Sequence, residues 1–217
     1  MVVQKPSRFP NHHFLFYRPQ IGVNCYIIAL NKIKDLELDI IVITDSLEIE
    51  MICNEFNVKC YIEDKSKQHD EFNSIYGYLN EMNEFNNINE FILLPVTHPL
   101  CNIETINKVI NTELNDNDLI TTYTYVPNRK IFLLNDDNSY MYDSYERKGS
   151  LCKQTKMIDG CIYKLSTEFL IKVIKSNESN HIFWNESKIK FIENTSDFFL
   201  DIDEKKDLNF FKNVLYK

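Results

Sequence analysis

Residues 90–109 read EFILLPVTHPLCNIETINKV, and this stretch decides the fold. Phe91–Leu94 is an apolar run that ends in a polar knot, Thr97-His98-Pro99. Past a short break at Cys101-Asn102, apolar residues return at helical spacing, at Ile103, Ile106, Val109 and Ile110. A buried strand that feeds a helix through a tight polar turn is where open α/β sheets place their ligands.

The flanking segments repeat the pattern. Upstream, Leu38–Thr44 (LDIIVIT) is β-branched and nearly unbroken, the mark of a strand buried on both faces. Asp45-Ser46 offers an N-cap to a helix over 47–56, where Ile49, Ile52, Cys53 and Phe56 form one stripe. A short return through Asn57 leads to a strand at 58–62, so the unit reads as βαβ with a right-handed crossover. The spacing predicts further helices over 23–34 and over 69–85, the latter with Phe72, Ile75, Tyr76 and Leu79 on one face. A short first strand is expected at 1–4 and packed aromatics at 14–17. Downstream, strands are expected at 119–126, at 157–165 around Asp159-Gly160, and at 188–193. Helices are expected over 167–175 and 204–215. The polar segment 127–156 has weak periodicity and reads as a hairpin excursion or an arm. The fold class is therefore α/β, one domain over 1–217 with a mostly parallel sheet.

Bulk properties exclude several functions. A formal net charge of −8 gives no basic field for nucleic acid or an anionic membrane. No apolar run reaches transmembrane length and residues 1–18 lack signal-peptide order, so the expected compartment is the cytoplasm. None of the 6 cysteines forms a C-x-x-C pair, which argues against zinc and, without export, against disulfides. The chain has only 4 glycines and none in residues 1–20, although phosphate cradles usually draw on glycine.

Three constellations carry candidate chemistry. In Asp201-Ile202-Asp203 an extended backbone turns both carboxylates the same way with Ile202 facing the core. Such a pair suits Mg²⁺ beside substrate phosphates, or else Asp203 is an N-cap and Asp201 a solvated acid. The loop KPSRFPNHH, residues 5–13, is either an ordinary solvated loop or an anion site in which Lys5, Arg8 and His12 meet a triphosphate. His98 is either a histidine satisfied by backbone groups or a base.

Four stretches taken in order resemble the cytidylyltransferases that activate acidic sugars, the CMP-sialic acid synthetases and their relatives for other nonulosonic acids. VITDSLEIEMICNEFNVKCY (42–61) is similar to that family's strand-TDS-helix-strand unit, and LLPVTHPLCNIETI (93–106) to its L-L-Q-P-T-S-P-L-R stretch. IDGCIYKLSTEFL (158–170) is similar to the N-G-A-I-Y segment and LDIDEKKDLNFF (200–211) to the I-D-I-D-T-x-x-D tail. The resemblance implies a Rossmann-like nucleotide-diphospho-sugar transferase fold. It also implies CTP as substrate, an acidic sugar as acceptor, and a CMP-sugar for surface glycan synthesis as product. Asp201 and Asp203 then match the Mg²⁺ aspartates and, with Arg8, the catalytic set. Lys5, Ser7, Arg8 and His12 fall in the nucleotide-binding loop, and Thr97, His98 and Tyr163 in the sugar site. Arg147 and Lys148 match basic residues on a dimerisation arm, segment 127–156, which implies a homodimer. The chain departs from the family's pattern at Gln4, Pro6 and His12-His13 in the first loop, and at Pro95 and Cys101 in the middle motif. Pro6 has no amide proton to give a phosphate. Two other readings stand beside this one: a non-catalytic relative serving as a binding or scaffold protein, and a nucleotidyltransferase using another base or acceptor.

Overall fold

The apolar runs become strands whose alternate residues enter two different cores. In the computed structural model, which describes residues 2–3, 14–15, 23–36, 38–64, 70–127, 154–176, 182–197, 200–202, 206–207 and 209–211, eight strands form one sheet. The elements are β1 (Val2–Val3), β2 (Phe14–Leu15), α1 (Val23–Ile33), β3 (Ile40–Thr44), α2 (Leu47–Glu55), β4 (Lys59–Ile62), α3 (Glu71–Glu81) and β5 (Glu90–Leu93). After these come α4 (Ile103–Asn111), β6 (Leu119–Pro127), β7 (Gln154–Ser166), α5 (Thr167–Lys175), a π-helical turn (Ile182–Glu186) and β8 (Ile189–Glu193).

Val42, Ile92 and Ile120 pack into one core with α1, α2 and α4. Their neighbours Ile41, Ile43, Phe91, Leu93 and Leu119 pack into the other with α3 and α5. Period-two alternation between two apolar layers is why these strands read as unbroken apolar runs. The α/β layering expected from the sequence is present, with helices on both faces of the sheet.

Pairing is parallel between β2 and β3, β2 and β5, β3 and β4, and β6 and β8. The short β1 pairs antiparallel with β3 and β5. The long β7 runs antiparallel between β5 and β6, so the sheet is mixed. The β3–α2–β4 unit returns through Asn57, whose φ of 53° is in the left-handed region that Asn tolerates. Val58 N–H closes the end of α2 on the Cys53 carbonyl at 2.8 Å.

The caps follow side-chain chemistry, with one exception. Asp70, Asn102 and Ser166 accept from the backbone of α3, α4 and α5 respectively. Ser46 occupies the N-cap of α2 without a side-chain bond; its N–H donates to Thr44 Oγ1 at 3.1 Å. No helix among the described residues is long and apolar enough to cross a membrane.

Candidate functional site

β5 ends at Leu93, and the chain turns through Pro95–Leu100 before α4 begins. Lys32 of α1 clamps that turn by donating to the carbonyls of Pro99 and Cys101, the latter at 2.7 Å. Burial pushes its pKa below that of an ordinary lysine. The turn borders a cavity of about 750 Å³ lined by Thr97, His98, Tyr163 and Asp201 among others. Four residues singled out in three separate stretches of sequence therefore meet in one place.

His98 Nε2 lies 2.7 Å from the Asp159 carbonyl, which can only accept, so Nε2 carries the proton. Nδ1 lies 2.9 Å from Thr97 Oγ1 and 3.4 Å from Asp201 Oδ1. In the neutral ring Nδ1 accepts from the threonine hydroxyl; in the protonated ring it pairs with Asp201. The histidine is thus satisfied within the protein, partly by backbone, and still faces the cavity. Asp201 is held in place through its neighbour. Ile202 is buried, as the extended alternation required, and its N–H donates to the Thr97 carbonyl at 2.9 Å.

Asp159 organises the opposite partner of His98. β7 bulges here: Thr121 faces Tyr163 but Tyr123 faces Ile158, so extra residues of β7 leave the ladder beside the cavity. The Asp159 carboxylate, 4% exposed, accepts from the Thr122 hydroxyl, from Cys161 N–H at 3.1 Å and from Asn194 Nδ2 at 2.8 Å. Asn194 Oδ1 in turn accepts from Thr105 Oγ1 at 3.2 Å and from Ser196 N–H at 2.9 Å. Ser196 Oγ accepts from the N–H of Asn102, the α4 N-cap, at 2.9 Å. One chain of bonds runs from the start of α4 to the His98 ring.

Gly160 has φ +62°, and a Cβ there would lie 2.6 Å from Tyr163 Oη. Only glycine lets the phenol sit over this backbone. Burial, then the carboxylates of Glu71, Asp159 and Asp201, push the Tyr163 pKa up, so its hydroxyl stays protonated as a donor. Phe183 anchors an aromatic cluster at ring distances of 5.2 Å to Phe72, 6.2 Å to Tyr163 and 4.7 Å to Trp184.

Lys5, Ser7, Arg8, His12, Arg147, Lys148 and Asp203 lie outside the described residues, as does most of the expected arm 127–156. Asp159, Asn194 and Lys32 were not singled out by sequence reasoning, nor were Phe183, Trp184 and Glu71. The signals available for them were the Asp159-Gly160 pair and the only tryptophan in the chain.

The chain matches no family model and no curated protein by sequence. Solved structures match it by fold. One is a CMP:2-keto-3-deoxy-manno-octonic acid synthetase complexed with CTP, at 12% identity over 92% of this chain and 90% of that one, with a TM-score of 0.65. Another is 4-diphosphocytidyl-2C-methyl-D-erythritol synthase of Anaerococcus prevotii, at 15% identity over 94% and 96%, with a TM-score of 0.62. A cytidylyltransferase of Leptospira borgpetersenii gives 13% identity over 94% and 84%, with a TM-score of 0.57. The fold is the Rossmann-like α/β fold of nucleotide-diphospho-sugar transferases.

Proposed function

We propose that this chain is a nucleotidyltransferase that moves the cytidylyl group of CTP to a hydroxyl of an acceptor bound in the cavity. The carrying observation is the convergence of Thr97, His98, Tyr163 and Asp201 on that cavity. It is supported by a fold shared with a CMP-sugar-acid synthetase complexed with CTP, a diphosphocytidyl synthase and a cytidylyltransferase.

In this reading the acceptor oxygen attacks the α-phosphorus, the bond from that phosphorus to the pyrophosphate oxygen breaks, and the hydroxyl proton is released. The protein's part is positioning. Tyr163, kept protonated, donates to the bound acceptor, and the Thr97-His98 turn fixes Asp201 at the cavity wall.

Mg²⁺ fits the donor present. Among the described residues no three His, Cys, Asp or Glu side chains converge as a metal cage. Asp201 does supply a hard carboxylate, about a third exposed, at the cavity. Mg²⁺ beside phosphates is held by one or two carboxylates rather than a cage. When bound it would neutralise phosphate charge. Asp203 is its expected second carboxylate, and Lys5, Ser7, Arg8 and His12 the expected contacts to the nucleotide. An acidic sugar as acceptor depends on Arg147 and Lys148, reached through a homodimer.

Thermal-shift titration tests the reading. CTP with Mg²⁺ at a hundredfold excess over its Kd should add about 2.7 kcal/mol of stability. The gain should exceed that from other nucleotides and be lost in Asp201→Ala. No shift with any nucleotide would sink it in favour of a non-catalytic relative, the reading that the glycine-free N-terminal stretch favours.

A further inference from the structure

Two pairs of thiols meet in the core that α1, α2 and α4 share, although no C-x-x-C spacing announces either. The first joins α2 to β4. Ile49, Ile52 and Cys53 form the buried face of α2. On β4 alternate residues part: Lys59 and Tyr61 meet Tyr78 of α3, whereas Cys60 between them packs into the core that holds Cys53. The link from α2 to β4 is tight, since Val58 N–H donates to the Cys53 carbonyl at 2.8 Å. The side chains meet there, with the Cys53 thiol donating to the Cys60 sulfur. In the second pair Cys101, before α4, is hydrogen-bonded to Cys161 of β7.

Exposure separates the two pairs. Cys101 and Cys161 are both buried, and so is Cys53, but Cys60 is half-buried. The hydrogen bond from Cys53 lowers the Cys60 pKa, against burial and the charge of Glu50, which raise it. For Cys161 the bond to Cys101 and then burial push the pKa up. Redox-sensing cysteines combine an ionisable, accessible thiol with a second thiol beside it, whereas fully buried thiols are inert.

We propose that Cys60 and Cys53 form a peroxide-sensitive pair, Cys60 as the reacting cysteine and Cys53 as the resolving one. The Cys60 thiolate attacks one peroxide oxygen and the O–O bond breaks. Its sulfur is oxidised to the sulfenic acid, and the other oxygen leaves as water with the thiol proton. The Cys53 sulfur then attacks the Cys60 sulfur, and the hydroxyl leaves with the Cys53 proton as a second water. One peroxide is reduced as two thiols become one reversible disulfide. That bond staples α2 to the strand that also carries α3, whose Glu71 and Phe72 line the cavity. The redox step itself is independent of any chemistry at the cavity.

Trypsin cuts after Lys34, Lys59 and Lys65, so Cys53 and Cys60 fall in separate peptides, 35–59 and 60–65. Folded, reduced protein is treated with a small excess of hydrogen peroxide, blocked with N-ethylmaleimide and mapped by mass spectrometry. The two peptides should appear joined, and dithiothreitol should release them. A Cys101–Cys161 link in the same digest should be about tenfold scarcer or less. Cys53→Ser keeps a donor to Cys60 but no resolving sulfur, so dimedone should trap the Cys60 sulfenic acid there. Cys60 left as a thiol in the wild type, or joined to Cys152 instead, would overturn the proposal. So would a Cys101–Cys161 link forming as readily, or Cys53→Ser giving no dimedone adduct. The wild-type map needs no variant to fold.

Discussion

At the scale of single residues the site depends on fits that tolerate little change. Gly160 combines a positive φ with a phenol at 2.6 Å from any added Cβ. Gly160→Ala should therefore cost about 2 kcal/mol in urea unfolding and displace Tyr163 from the cavity wall. Tyr163 itself ties stability to alkaline pH. Its folded pKa is raised above the unfolded value near 10, so its contribution is complete below about pH 10. Above that the unfolded chain loses the proton first, and stability falls as pH rises. Urea midpoints measured across this range should fall more steeply in the wild type than in Tyr163→Phe; equal slopes would remove the linkage. Thr97, His98, Tyr163 and Asp201 were legible because their motifs are local. Asp159 was not, since its burial depends on Thr122 and Asn194, 37 and 35 positions away, and nothing in an Asp-Gly pair announces such partners.

At the scale of elements, α4 is held at both ends by residues from elsewhere in the chain. Its N-cap Asn102 is tied to Ser196, and its last carbonyls, on Ile110 and Thr112, accept from the buried ammonium of Lys164 on β7. Lys164 also pairs with Glu90 of β5 at 3.0 Å. Lys164→Met leaves that carboxylate without its cation and the helix end uncapped, and should cost about 3 kcal/mol in urea unfolding. Adding Glu90→Gln should recover part of the loss, because the unpaired charge is then gone; a fully additive double mutant would contradict the pairing. Periodicity located β5, α4, β7 and α5 well. It could not orient β7, because alternation looks the same in parallel and antiparallel strands. It gave α3 its core face, with Ile75 and Leu79 buried and Phe72 and Tyr76 half-buried against the same core, but not Tyr78, which is buried there too. The reason for Phe72 is the cavity: its ring faces Phe183 and the cavity where a core residue would meet more protein.

At the scale of the molecule, two apolar cores share one set of strands, and this sharing predicts how the protein unfolds. Leu30 on α1 belongs to one core and Leu170 on α5 to the other, both fully buried. Either truncated to alanine should cost about 3 kcal/mol from lost burial and the cavity left behind. The two cores meet across β3, where Val42 faces one and its neighbours Ile41 and Ile43 face the other. A strand cannot leave one core and stay in the other without flipping its pleat. Trp184 reports the α5 side through its contact with Phe183, whereas far-UV circular dichroism reports every helix. In urea, Leu30→Ala should therefore move the fluorescence and dichroism midpoints together, although the substitution lies on the face Trp184 does not touch. If the dichroism midpoint moved and the fluorescence midpoint stayed, the sheet would be transmitting no cooperativity between its faces. The cavity, whose aromatic wall belongs to the α5 side, could then persist after the α1 side had melted.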